Sequence, residues 1–140
     1  MPTDPKYLKN FACFQGFSDE QLDAVAEITN AVCYPPDYLL FEEGQPGERI
    51  LFLESGEVEV EYNIGESGPV CLDTVSGHEV VGCSALVEPY IYTATERSLT
   101  QVEVLEVNAE ALRALMQADC RLGAALQNYL LQVLMERILN

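Results

Sequence analysis

Apolar positions change their spacing twice along this chain, and the changes divide it into three parts. Residues 1–10 are a polar lead-in with no apolar rhythm. The helical spacing begins at Ser18, an N-cap with Gln21 as its capping-box partner and with Phe17 and Leu22 placed as a hydrophobic staple. Leu22, Val25 and Ala26 then make one buried stripe, and the pattern predicts a helix over 18–32, stopped by Pro35, Pro36 and Asp37.

From 37 to 107 the spacing is that of strands. Short β-rich runs lie at 38–41, 50–53, 58–62, 70–72, 93–95 and 102–107. Turn-forming clusters separate them at 43–47, 54–56, 64–69 and 76–77. Residues 58–62 alternate strictly, as a strand with one wet face should. Regularly spaced short strands predict a sandwich, barrel or jelly roll. The third part is helical again. Asn108 caps a short helix through Met116, and a last helix follows over about 119–139.

That last helix is too apolar for a single core-facing stripe. Leu122, Leu126, Tyr129 and Val133 recur at steps of four, three and four, a heptad-like seam. Leu130, Leu134 and Ile138 make a second row, and Leu131 and Met135 a third. One row can pack on the barrel. The others predict a homodimer about a two-fold axis, with this helix as its main contact.

Composition narrows the function classes. The 140 residues fit one domain, and 49% hydrophobic content supports a real core. Seven basic against 23 acidic side chains give a net charge of −16, which disfavours nucleic acid and anionic membranes as partners. The five cysteines (Cys13, Cys33, Cys71, Cys83 and Cys120) are odd in number and contain no C-x-x-C pair. A disulfide framework or structural zinc is therefore not expected, and scattered thiols suit a reducing, cytoplasmic setting. The N-terminus has no apolar leader, and no apolar run reaches the roughly 18 residues of a spanning helix.

Two segments carry a family resemblance. Residues 40–60 combine Glu43-Gly44, the apolar-aromatic run Ile50–Leu53 and Ser55-Gly56-Glu57-Val58. Residues 76–86 run from Ser76-Gly77 through Gly82-Cys83-Ser84-Ala85-Leu86, and Tyr92-Thr93-Ala94-Thr95 follows. In order and spacing these resemble the opening hairpins and the phosphate-binding cassette of cyclic nucleotide-binding domains, over about 11–140. The resemblance implies a mainly β fold with flanking helices: a double-stranded β-helix jelly-roll barrel at 37–107, an N-terminal helix and C-terminal helices at 109–139. It implies a cassette of Gly82, Cys83, Ser84, Ala85, Leu86, Tyr92, Thr93 and Ala94. It also implies a dimer through the long helix. In relatives of the catabolite-activator type a helix-turn-helix domain follows that helix. Nothing basic follows it here, so this segment is not expected to bind DNA.

The cassette has a physical logic. A glycine turn feeds one helical turn whose free N–H groups face an anion. In the family a Glu after the glycine holds the ribose hydroxyl, and a later Arg clamps the cyclic phosphate in bidentate fashion. Cys83 stands at the Glu position and Tyr92 at the Arg position. Arg97 lies five residues past Tyr92, an odd offset that points to the opposite face of a strand, and Glu79 falls on the wrong side of Gly82. Losing a buried Arg–phosphate pair costs roughly 2–5 kcal/mol, about thirty-fold to several thousand-fold in affinity. Weak or lost binding of cyclic AMP and cyclic GMP is the expectation. Tyr92 reads first as a packed aromatic that plugs the pocket and second as a platform for a planar ligand. Gly44, Gly47 and Gly56 read as turn glycines. Ser84 reads equally as a ligand donor or a helix cap.

Haem-dependent gas sensors exist on the fold this chain resembles, which makes His78 and Cys83 candidate axial ligands. A turn histidine is usually just exposed and a buried cysteine is usually inert core, so no haem, iron or zinc is expected. One histidine is too few for a cupin-type metal site, and no nucleophile set, P-loop or dinucleotide turn is present. The chain reads as a binding module and not an enzyme. Two versions stand: a regulatory domain sensing a small, even anionic, effector, or a pseudo-receptor that keeps the fold for dimerisation or docking. A defined pocket behind Gly82–Leu86 favours the first, and a pocket filled by Tyr92 favours the second.

Overall fold

The structure, a computed structural model, describes residues 3–63 and 69–139; at 63, 69–72 and 137–139 it describes the backbone alone. The turn expected at 64–69 and the side chains of Cys71 and Ile138 lie outside that description. Eight strands form two antiparallel four-stranded sheets, which is the jelly-roll barrel with flanking helices. One sheet runs in the order β1 (Thr29–Tyr34), β8 (Val102–Asn108), β3 (Arg49–Ser55), β6 (Val80–Val81). The other runs β2 (Leu39–Phe41), β7 (Thr95–Ser98), β4 (Glu57–Asn63), β5 (Pro69–Ser76).

β3 reads as an unbroken apolar run because it is covered on both faces. Ile50, Leu51, Phe52 and Leu53 are all buried. Phe52 meets the rings of Phe11 at 5.3 Å and Phe14 at 5.0 Å, brought by the N-terminal segment. That segment is not the loose lead-in expected of residues 1–10. Asp4 caps the short helix α1 (Pro5–Leu8), Leu8 is fully buried, and the Thr3 N–H donates to the Thr29 carbonyl. Leu8 and Phe11 are single apolar anchors, too few to show a period.

The first long helix, α2 (Asp19–Glu27), begins as expected: Ser18 and Gln21 form a reciprocal capping box. It ends early, however, and residues 29–34 form β1 instead of continuing to 32. The Thr29 hydroxyl donates to the Val25 carbonyl at 2.6 Å and closes the helix. The β-branched and aromatic residues beyond it pair in full register with β8, from Thr29 opposite Val107 to Tyr34 opposite Val102. The run expected at 93–95 is also displaced. β7 starts at Thr95, and residues 91–92 pair with the 44–46 turn instead. β6, only two residues long, exists because β3 recruits it, Leu51 opposite Val81.

At the C-terminal end, Asn108 caps α3 (Ala109–Ala118), and α4 (Cys120–Leu139) follows. α4 corrects the row assignment. Leu122, Leu126 and Leu130, steps of four, are buried in the chain's own core, with Tyr129 and Val133 packed against that core. The burial of Leu122, Leu126 and Leu130 leaves those three no free face for a dimer contact. Among the described residues of α4 the exposed large apolar positions are Leu131 (61% accessible), Leu134 (44%) and Met135 (56%). Positions 122, 126, 129, 130 and 133 share one face because steps of three and four return to the same side of a helix with 3.6 residues per turn.

Candidate functional site: the glycine-turn cassette

The cassette begins where β6 ends. Gly82 has φ +80, and a Cβ there would stand 2.6 Å from the Phe41 ring, so both backbone and space demand glycine. One 3-10 turn, Cys83–Leu86, follows. Ala85 is fully buried and Leu86 packs on the core. Gly47 is not only a turn residue: a Cβ on it would meet Ala85 Cβ at 2.6 Å, so the first hairpin loop rests directly on the cassette. Ser84 does not cap the turn, whose N-cap is Gly82. Its hydroxyl accepts from the Thr93 N–H at 3.3 Å and ties the two halves of the cassette together.

Tyr92 stands where a phosphate-binding arginine would. Its hydroxyl accepts from the Arg49 N–H at 3.0 Å and donates to the Arg49 carbonyl at 2.7 Å. Its ring stacks on Phe41, centroids 4.3 Å apart at 28°. Only 6% of Tyr92 is accessible, and burial first of all raises its phenol pKa. Sequence reasoning passed over Arg49, which holds this layer. Its guanidinium lies 5.2 Å from the Phe41 ring centroid and donates to Tyr34 Oη, Glu106 Oε1 and the Leu40 carbonyl. Tyr34 in turn donates to Glu106. Burial, then that bond, pushes the Tyr34 phenol up to about 12.

The space left is small. A cavity of ≈ 30 Å³ is lined by Gly82, Cys83, Ser84, Tyr92, Thr93 and Ala94, with Tyr62 and Glu96 completing the wall. Six of the eight positions expected from the sequence thus converge, while Ala85 and Leu86 face the core. The volume is about one water's share of liquid, whereas small-molecule sites usually offer about 300 Å³ or more. On the other side of Tyr92 an open groove of ≈ 210 Å³ runs between Leu39 and Glu48. Arg97 faces outward and pairs with Asp37 at 3.6 Å, as its odd offset from Tyr92 requires. Glu96 is buried on the inner face, and the same parity rule, applied to its even offset, would have found it.

His78 is exposed, its ring edge-on to Phe11 at 5.4 Å, away from the residues that line the cavity with Cys83. Among the described residues no three His, Cys, Asp or Glu side chains gather as a metal site. Among them, too, no helix is long and apolar enough to cross a membrane. Cys13, Cys33, Cys83 and Cys120 are free thiols.

A jelly-roll barrel with a glycine-turn cassette between β6 and β7, preceded and followed in the chain by helices, defines an effector-type regulatory domain. The family model of the cyclic nucleotide-binding domain matches residues 31–119, and the chain belongs to that family. A CRP-like cAMP-activated global transcriptional regulator of Mycobacterium tuberculosis is 25% identical over 101 residues, 72% of this chain. The chain matches 45% of that relative's length. Among solved structures, a candidate cyclic nucleotide-binding protein of Geobacter metallireducens superposes with a TM-score of 0.86 at 29% identity, covering 97% of this chain and 98% of its own. A cyclic nucleotide-binding domain of Methylobacillus flagellatus gives 0.82 at 22% identity, covering 99% and 82%. At that identity the second likeness speaks for the fold alone.

Proposed function

We propose that this chain is a regulatory module of the cyclic nucleotide-binding family whose cassette holds cyclic AMP and cyclic GMP weakly or not at all, and which signals through its C-terminal helices. The observation that carries the reading is Tyr92: the phosphate-clamping position holds a phenol locked onto the Arg49 backbone, with no Lys, Arg or His beside it among the described cavity-lining residues. A route from cassette to helices is also present. Arg113 of α3 donates to the Ala85 carbonyl at 2.7 Å and lies 4.3 Å over the Tyr90 ring, so a shift of the cassette pulls on α3 and hence α4. The output surface in this reading is a homodimer on Leu131, Leu134 and Met135, the apolar positions α4 leaves exposed. The module catalyses nothing itself, works in the cytoplasm, and leaves nucleic acid to other segments or partners.

The ≈ 30 Å³ cavity favours a second reading, a pseudo-receptor that keeps the fold for assembly and binds no effector. Calorimetry separates the readings from the family's ordinary function. Dissociation constants for cyclic AMP and cyclic GMP above about 100 µM are expected, thirty-fold or more beyond micromolar binding. Sub-micromolar binding of either nucleotide would refute both readings. A small molecule that co-purifies in stoichiometric amount, seen by native mass spectrometry, would select the first.

A further inference from the structure

We infer that Glu96 is a specificity-determining residue of the cassette, one that excludes anionic ligands from the cavity and restricts it to neutral or cationic ones. The inference deepens the proposed function and rests on it. β7 turns Glu96 and Ser98 inward and Arg97 outward. Glu96 is 6% accessible and lines the same cavity as Gly82, Ser84, Tyr92 and Thr93. Among the described residues the lining contains that one carboxyl group and no Lys, Arg or His.

The replacements at Cys83 and Tyr92 remove attraction for a nucleotide, and Glu96 adds opposition. A phosphate drawn into the cavity would meet a buried carboxylate, which must repel it or first take up a proton. For unit charges about 5 Å apart at an effective dielectric near 20, the repulsion is worth roughly two orders of magnitude in affinity. Rejection built from a like charge is a common source of selectivity. It also predicts that an arginine restored at position 92 would pair with Glu96 in place of a ligand, so the family's clamp cannot be rebuilt by that change alone.

The test compares two chains carrying Cys83→Glu and Tyr92→Arg, with and without Glu96→Gln. Cyclic AMP is the anionic probe and adenosine the neutral one, titrated by calorimetry, and melting curves check the fold. Glu96→Gln should tighten cyclic AMP by at least about thirty-fold and move adenosine by less than three-fold. A gain below three-fold, absence of binding in both folded chains, or an equal gain for adenosine overturns the inference, the last because a merely structural role moves both probes. If the doubly substituted chain does not fold, Glu96→Gln alone, which leaves the Tyr92 bonds in place, decides by NMR shift titration to about 10 mM. A cyclic AMP gain of at least five-fold over the unaltered chain supports the inference. An unchanged or undetectable response overturns it. Tight cyclic AMP binding by the unaltered chain would be a different failure, that of the proposed function itself.

Discussion

Tyr92 and Gly82 make the cassette what it is, and each gives a measurable consequence. Tyr92→Phe keeps the stack on Phe41 but strips a partner from the N–H and the carbonyl of Arg49. Unmet buried polar groups cost about 1–3 kcal/mol, so urea unfolding should lose stability by that order. A variant as stable as the parent would show that the phenol is not the lock described. Gly82→Ala meets two obstacles, a left-handed backbone and the Phe41 ring at 2.6 Å. A loss of at least ~2 kcal/mol is expected in the same assay. Replacing Gly44, which has a positive φ but open space around it, should cost less. At this scale the sequence was informative about position and poor about role. The cassette residues could be counted off from Gly82, yet Ser84's bond to Thr93 and Tyr92's to Arg49 join residues 9 and 43 apart. No local pattern encodes such pairs.

Among the elements, α4 shows most plainly how packing chooses among rows that the sequence offers. Leu126 faces the core and Leu131 and Met135 face outward. Leu126→Ala should therefore lower stability by about 2–5 kcal/mol. Leu131→Glu with Met135→Glu should leave the melting temperature nearly unchanged and convert a dimer to monomer in light scattering. Three large side chains buried per protomer would contribute roughly 1.5–3 kcal/mol each before association costs. A monomer for the unaltered chain at tens of micromolar in moderate salt would remove the dimer from the reading. Leu130→Glu is not a suitable probe, because Leu130 is buried within the protomer. The helix-to-strand change at Thr29 teaches the same lesson. The predicted helix continues to 32, but residues 29–34 form a six-residue ladder with β8 that only the folded barrel provides.

Charge governs the whole molecule at both ends of the pH and salt scales. Two chains of −16 repel, so dimerisation should strengthen as salt is raised from low ionic strength. On the alkaline side, burial holds the Cys13 thiol up at about 12, against an ordinary 9.0, and the Tyr34 phenol at about 12, against 10.0. Between those values the folded state keeps protons that the unfolded state has lost. Stability is therefore full below about pH 9 and falls as pH rises toward 12. Urea midpoints should decline through that window, and Cys13→Ala should flatten the first part of the decline. A midpoint constant from pH 9 to 11 would contradict the burial of Cys13.

The sequence by itself determined the class: helix, strands, then two helices, with glycine turns in the order that marks this family. It determined them because capping boxes, period-two alternation and turn residues act over a few neighbours, where the chain carries its own information. It also determined that the usual acid and arginine are missing from the cassette, since Cys83 and Tyr92 can be read directly. Tertiary structure decided what replaced them. The Arg49–Glu106–Tyr34 network, the stacking of Tyr92 on Phe41 beside the cavity, the inward turn of Glu96 and the burial of Leu122, Leu126 and Leu130 all depend on groups far apart in sequence. Their relative placement is set when the two sheets close on one core, because burial and hydrogen-bond satisfaction are properties of the packed whole.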